Sequence, residues 1–338
     1  MASTTVVPLA RLLADTRRVA LVGLAKNTGK TETLAAIMGE TAAVGRAVGV
    51  TSIGRDGEEH DVIDARIEKP RVTLAAGSLV ASTGPLLRAS SAAHERLLQT
   101  GIRTPLGEVV IARFAEGGTV EVAGPSAAAD VRTVSEAMIE LGAEQVLIDG
   151  AIDRRAASSP AVADGLVMAT GAVLGEDIEQ VIAQTADAID LVRLPRAQAG
   201  DATPLPRRLV LSGDPEEIAS LLRERPRASS FIVEGALGER FLEGLLRARR
   251  ERAGRELRII AGDPTKVFLT SRGPRWYARQ GVSIEVEQTI ELKAVTVNPV
   301  APQSHRFDSQ RLRQGIEAAV ADVPVYDVRD ASYVALAK

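Results

Sequence analysis

From Val19 to Glu40 the sequence reads VALVGLAKNTGKTETLAAIMGE. The apolar run that ends at Gly23 is typical of a buried strand, and the stretch that begins at Lys30 is typical of a helix. The short polar loop between them would aim backbone N–H groups and the positive end of a helix dipole at one place, which favours an anion. The stretch therefore predicts a parallel α/β fold with a phosphate-binding loop at the carboxyl end of a strand.

The predicted loop has an unusual length. Five residues separate Gly23 from Gly29, and Leu24 stands where the common phosphate-binding loop has its first glycine. The end of the loop, Gly29-Lys30-Thr31, keeps a lysine that reaches phosphates and a hydroxyl that ligates Mg²⁺. We therefore predict binding of ATP or GTP with Mg²⁺; the alternative is an ordinary strand–turn–helix with a lysine at the helix start. The predicted contacts are Gly23, Lys26, Asn27, Thr28, Gly29, Lys30, Thr31 and Glu32.

Such a loop also needs an acidic partner for Mg²⁺, commonly at the end of a buried strand. Asp149 ends the apolar run of QVLIDG, and we predict that it holds the metal together with Thr31. Lys30 and Asp149 are both predicted to be catalytic. Two alternatives stay open at this position: Asp149 caps the segment that follows, or Asp153 serves in its place.

Apolar runs alternate with amphipathic stretches along the whole chain, which predicts an α/β protein. We expect a P-loop NTPase-like, mostly parallel sheet with helices on both faces, plus a second, smaller α/β domain. Apolar periodicity vanishes around 193–208, where three prolines occur, so the predicted domains are a nucleotide-binding domain at 1–195 and a C-terminal domain at 206–338.

The elements predicted in these domains follow from the same alternation, and the segment 54–107 is predicted to be irregular and to carry function or a short substructure. Asp214 and Asp263, each before a proline, are predicted to cap helices. The predicted strands are 19–23, 47–53, 108–114, 145–150, 165–170, 208–213, 230–235, 256–262, 294–299 and 323–328. The predicted helices are 30–40, 127–142, 175–188, 215–224, 238–252 and 308–321.

The composition argues against several classes of function. A formal net charge of -3 and 3% aromatic residues favour neither nucleic acid nor an anionic membrane as a partner. The chain has no cysteines, so it forms no disulfide, thiolate metal site or thiol nucleophile. No apolar run approaches the roughly 20 residues that span a bilayer, and the N-terminus lacks a secretory pattern. We expect a cytoplasmic protein that binds neither nucleic acid nor membrane.

The spacing of the loop resembles that of the dethiobiotin synthetase and cobyric acid synthase group, which reads Gly-Thr-x4-Gly-Lys-Thr/Ser; Leu24 replaces its usual threonine. In the branch of P-loop proteins that holds these enzymes, a carboxylate after the second strand often lies near the metal or the attacking water. By this resemblance Asp56, in TSIGRDGEEHD, is predicted to be a third catalytic residue. The alternative is that Asp56-Gly57 is a turn.

A longer resemblance covers nearly the entire chain. The segments VGLAKNTGKTETL, VTSIGRDGEEHD, TGIRTPLGEVVIAR, VEVAGPS, LIDGAIDRRAASSP, MATGAVL and LKAVTVNPVAP resemble the P-loop subunit of the lysine 5,6-aminomutase reactivase. That family acts on an adenosylcobalamin-dependent aminomutase of lysine fermentation and couples nucleotide hydrolysis to the exchange of damaged cobalamin. The resemblance implies two partners, a MutS-like ATPase subunit and the aminomutase itself. A homo-oligomer is left open.

Two other functions compete with this one. The chain is alternatively an ATP-dependent small-molecule enzyme similar to dethiobiotin synthetase, with Arg55, Arg103 and Arg154 available for a carboxylate substrate. A third alternative is a nucleotide-binding scaffold that does not hydrolyse its ligand. The sequence shows no convincing guanine-recognition motif, so ATP and GTP stay equally open.

Overall fold

The computed structural model describes residues 7–53, 71–151, 157–198, 200, 202–249, 256–302 and 305–336. The chain divides into two compact units. The first unit is formed by Met1–Ile182 together with Glu291–Lys338, and the second by Ala183–Ile290. The second unit is therefore inserted in the chain of the first.

Strands and helices alternate through both units. The strands are β1 (Arg18–Gly23), β2 (Val48–Ser52), β3 (Val72–Leu74), β4 (Leu79–Thr83), β5 (His94–Thr104), β6 (Gly107–Phe114), β7 (Gly118–Val120), β8 (Gln145–Ala151), β9 (Gly165–Gly171), β10 (Thr203–Pro204), β11 (Ser230–Ile232), β12 (Leu237–Gly238), β13 (Leu257–Ala261), β14 (Val267–Phe268), β15 (Val282–Val286), β16 (Glu291–Asn298) and β17 (Val325–Tyr326). The helices are α1 (Leu9–Leu12), α2 (Lys30–Ala43), α3 (Gly84–Arg88), α4 (Ala128–Glu140), α5 (Ile178–Val192), α6 (Arg207–Ser212), α7 (Pro215–Glu224), α8 (Glu239–Arg249), α9 (Pro274–Arg279), α10 (Ser309–Val320) and α11 (Ala331–Leu336).

The first unit contains a sheet of nine strands in the order β17-β16-β9-β1-β8-β2-β4-β6-β5. Pairing is parallel from β17 to β4 and antiparallel for β4–β6 and β6–β5. β1 lies inside the sheet, and its side chains from Val19 onward are buried, as expected for a parallel strand covered on both faces. The chain is thus an α/β protein with a large, mostly parallel central sheet.

The helix α2 packs on β1 and β9. Its buried residues include Leu34, Ile37, Met38 and Thr41, a spacing of three, one and three that places them on one side of the helix. This stripe fixes the helix against the sheet, so the N-terminus of α2 is held at the end of β1 from which it leaves.

A buried carboxylate joins both ends of the described chain to α2. Glu40 is 6% exposed, and its Oε2 accepts a hydrogen bond from Ala10 N at 2.7 Å. The Tyr333 hydroxyl donates to the other oxygen of Glu40 and accepts from Leu9 N at 3.1 Å. Burial and the carboxylate both raise the pKa of Tyr333, so this hydroxyl keeps its proton and can donate at neutral pH.

The second unit is itself α/β, with a parallel sheet in the order β10-β11-β13-β15. Its core includes Phe231, Phe241 and Tyr277, each 1% exposed. The two predicted caps are confirmed. Asp214 accepts from the first amides of α7 at 2.8 and 3.1 Å, and Asp263 accepts from Thr265 N at 2.7 Å at the start of a short 3-10 helix, Pro264–Lys266.

One predicted strand is wrong. Residues 208–213 lie mostly in the helix α6, which begins after Pro206 and ends at Gly213 with φ 60°. A short apolar run does not by itself distinguish a strand from a helix. The proline before the run and the left-handed glycine at its end are typical helix start and stop residues, and they favour a helix over a strand here.

The division into units differs from the predicted domains. The boundary predicted near residue 195 falls at Ala183, inside α5, and Glu291–Lys338 belongs to the first unit rather than to the C-terminal domain predicted at 206–338. The physical reason is the pairing of β16 with β9, which returns the chain to the first sheet.

Part of the segment that was predicted to be irregular is ordered. Between residues 71 and 107 the structure contains β3, β4, α3 and β5, and β5 forms a long antiparallel hairpin with β6 at the edge of the sheet. Residues 54–70 lie outside the described part of the chain. None of the described helices has both the length and the apolar composition that a membrane crossing requires.

We expect Tyr333→Phe to destabilise the first unit by about 1–3 kcal/mol, because it removes a hydrogen bond from a buried carboxylate and leaves the Leu9 amide without its acceptor. Chemical denaturation measures the loss. Tyr326→Phe is the matched control: its ring packs edge-to-face on that of Tyr333, and its hydroxyl bonds to no described residue. Equal losses for the two variants would mean that the Glu40 network adds no stability.

Candidate phosphate-binding site

The predicted loop leaves the sheet at its parallel centre. β1 ends at Gly23 between β8 and β9, and α2 begins at Lys30. The amide of Leu24 donates to Ala169 O in β9 at 2.9 Å, which continues the pairing by one residue. The loop therefore starts from a fixed point at the carboxyl edge of the sheet, where ligands of open α/β sheets bind.

Gly23 allows the loop to fold back over the end of β1. A Cβ atom at this position would lie 2.5 Å from Thr28 Oγ1 and 3.2 Å from Ala25 O. The buried hydroxyl of Thr28 donates to the same carbonyl of Ala25 at 3.0 Å and closes the loop. Any side chain at Gly23 would push this turn open.

Two residues of the loop have left-handed backbone conformations. Gly29 has φ 87°, and Asn27 has φ 65°, an uncommon value for a residue with a side chain. The side chains of Lys26 and Asn27 are exposed, whereas Thr28 and Gly29 are buried. The loop thus presents its outer part to solvent while its last turn is held by packing.

The N-terminus of α2 is suited to an anion. Gly29 is the N-cap, and within the described chain no side chain caps the first amides of the helix. These amides have no acceptor inside the helix, and the helix dipole places partial positive charge on them. The side chains of Thr31 and Glu32 in this first turn are exposed, so the hydroxyl of Thr31 is accessible to a ligand.

Lys30 and Asp149 meet at this place. Asp149 lies on β8, beside Leu21 of β1 on one side and Ser52 of β2 on the other. Lys30 Nζ is 2.7 Å from Asp149 Oδ1, and the two side chains are 23% and 30% exposed. The ammonium of Lys30 and the carboxylate of Asp149 form an ion pair, but their geometry is not aligned for a hydrogen bond. The buried Oδ1 therefore receives no hydrogen bond from the described residues.

The residues present fit a Mg²⁺-nucleotide. Among the described residues, Asp149 offers a carboxylate oxygen that accepts no hydrogen bond, Thr31 offers a hydroxyl, and the glycines leave a closed turn next to helix amides that no side chain caps. The described residues contain no group of three or more acidic or histidine side chains that would hold a metal by themselves. Mg²⁺ commonly takes one or two protein oxygens and completes its shell with phosphate oxygens and water.

The structure adds a residue that the sequence patterns did not identify. Asn298 ends β16, and its Nδ2 donates to Asn27 O in the loop at 2.9 Å. Two residues earlier, Thr296 Oγ1 lies 2.7 Å from Thr33 Oγ1 of α2 in a buried hydroxyl pair. The run LKAVTVNP indicated a strand, but no local pattern indicates which strand lies beside it.

Two of the predicted carboxylates lie outside the described part of the chain. Asp56 and Asp153 fall in 54–70 and 152–156, which the structure does not describe.

Comparisons with protein-family models, with curated proteins and with solved structures found no match.

We expect Gly29→Ala to destabilise the first unit more than Gly45→Ala. Both glycines have positive φ, 87° and 69°, so alanine costs about 1–2 kcal/mol at either position. Only at Gly29 would the new Cβ press on another side chain, Asn298 Cβ at 3.0 Å, because no described atom lies within 4 Å at Gly45. Urea denaturation compares them, and equal losses would contradict tight packing of the loop against β16.

Proposed function

We propose that this chain is a P-loop NTPase that binds ATP or GTP with Mg²⁺ at Gly23–Glu32 and hydrolyses it. The proposal depends most on one observation. Nζ of the lysine at the start of α2 lies 2.7 Å from Oδ1 of the acid near the carboxyl end of β8, beside a glycine turn, although 119 positions separate the two residues in the sequence. A strand–turn–helix with an incidental lysine does not require an acid on the neighbouring strand.

Each residue of the site has a proposed role. The loop amides and the Lys30 ammonium bind the phosphates, while the Thr31 hydroxyl and the Asp149 carboxylate hold Mg²⁺. When bound, Mg²⁺ supplies neutralisation of phosphate charge in the transition state. Asp56, outside the described residues, is proposed to lie near the metal or the attacking water.

The ion pair itself supports a ligand that carries both signs of charge. Lys30 and Asp149 are each less than one third exposed, so separating them without replacement partners leaves two poorly solvated charges. A Mg²⁺-nucleotide offers phosphate oxygens to the lysine and a cation to the carboxylate. Binding therefore exchanges one set of ionic contacts for another rather than breaking a pair.

The process that the proposed nucleotide hydrolysis drives is inferred from the sequence resemblance. We propose that the chain is the nucleotide-binding subunit of a reactivating factor for an adenosylcobalamin-dependent lysine 5,6-aminomutase, acting with a MutS-like ATPase partner. The segments that resemble this family include the loop, the Asp149 strand and β16, so they coincide with the parts that build the site. The runner-up, a dethiobiotin-synthetase-like enzyme, uses the same loop with a small carboxylic acid as substrate.

Lys30→Ala is expected to abolish binding of Mg²⁺-ATP and Mg²⁺-GTP in calorimetry while the fold stays intact by circular dichroism. The reason is that the ammonium is the one lysine charge at the start of α2. Lys293→Ala is the matched control, because Lys293 is also largely buried and lies 2.9 Å from the carboxylate of Glu291. Unchanged affinity in the Lys30 variant would refute the site.

A reactivation assay separates the proposed function from its alternatives. Inactivated aminomutase is mixed with this chain, the MutS-like ATPase, Mg²⁺-nucleotide and fresh adenosylcobalamin, and recovered mutase activity is measured. We expect recovery with the wild-type chain and none with Lys30→Ala. No recovery above the protein-free control would contradict the reactivase function, and nucleotide turnover that depends on a small acid alone would favour the runner-up.

A further inference from the structure

We propose that Asn298 is a positioning residue that holds the phosphate-binding loop in its ligand-binding conformation. The inference rests on the proposed nucleotide site and extends it to β16, a strand that reaches the site from the far end of the sequence. Asn298 is 271 positions from Asn27, the residue that it contacts.

Both ends of the Asn298 amide have partners. Nδ2 donates to Asn27 O at 2.9 Å, and Oδ1 accepts from Val300 N at 3.1 Å. The residue is 8% exposed, so these bonds are made largely out of water. Turning the amide by 180° would lose both bonds, and the network therefore fixes its orientation.

Two glycines make room for this contact. In the loop, a Cβ at Gly29 would lie 3.0 Å from Asn298 Cβ. On the neighbouring strand, Gly171 is the register partner of Asn298, and a Cβ there would lie 2.4 Å from Asn298 O. The end of β16 thus sits directly against the last turn of the loop and against the end of β9.

The contact falls where the loop most needs support. Asn27 has a left-handed backbone, which asparagine adopts more readily than most residues but which still costs free energy, and its exposed side chain cannot hold it by packing. The hydrogen bond from Asn298 to its carbonyl favours this conformation before a ligand arrives. Without that bond the loop would visit other conformations, and ligand binding would have to order it.

The test uses three ligands that share a chain of three phosphates. Mg²⁺-ATP and Mg²⁺-GTP differ in the base, and Mg²⁺-tripolyphosphate has no base. We expect Asn298→Ala to weaken all three by a similar factor, about 3- to 10-fold, as for the loss of one hydrogen bond. A loss confined to one nucleotide would mean that Asn298 reads a base and would overturn the proposal. Unchanged affinity for all three would overturn it as well.

Thr296→Val is the matched control. It removes a buried hydrogen bond between β16 and α2 but leaves the Asn298 contact in place. We expect it to lower the stability of the chain without changing affinity for the three ligands. A loss of affinity equal to that of Asn298→Ala would mean that general loosening of β16, not the loop contact, controls binding, and it would overturn the proposal.

Hydrogen exchange of the ligand-free protein tests the positioning role separately. Amides of the loop, from Ala25 to Gly29, should exchange faster in Asn298→Ala and in the isosteric Asn298→Asp than in Thr296→Val. Equal exchange in all variants would overturn the proposal. If the wild-type chain binds none of the three ligands, the proposed function is wrong, and the exchange rates alone decide whether Asn298 positions the loop.

Discussion

The parallel pairing of β1 with β8 is the constraint on which the rest of the site depends. It sets Leu21 opposite Asp149, so the acid reaches the carboxyl edge of the sheet beside the strand from which the loop departs. The loop then has to return to that edge, and Gly23, Thr28 and Gly29 make the turn tight enough for Lys30 to reach the carboxylate. A register shift of one residue would turn Asp149 to the other face of the sheet.

Groups of opposite charge meet at this edge of the sheet. The free amides of α2 and the Lys30 ammonium attract an anion, while the Asp149 carboxylate repels one and occupies the lysine. A phosphate alone would leave the acid without its counter-charge, and a cation alone would do the same to the lysine. At the proposed site the pair would therefore disfavour ligands of a single sign, a specificity that a simple anion site lacks.

The local sequence pattern was sufficient to predict the elements that build the loop, but it was not sufficient to predict those that support the loop. The strand before Gly23, the helix from Lys30 and the apolar run before Asp149 all lie where periodicity and glycine spacing placed them. The apolar run at 208–213 was ambiguous, and flanking Pro206 and Gly213 made it a helix. The return of β16 to the first sheet involves no local signal, because strand partners are selected by long-range packing.

The position of β16 changes which part of the chain would form the proposed nucleotide-binding unit. A fragment that ends at the predicted boundary, residue 195, keeps Gly23, Lys30 and Asp149 but lacks Asn298. In that fragment β9 becomes an edge strand, and the carbonyl of Asn27 loses its hydrogen bond. The second unit is thus inserted between the residues that form the loop and those that hold it, so the loop reaches its supported conformation only after the chain beyond the insertion has folded back.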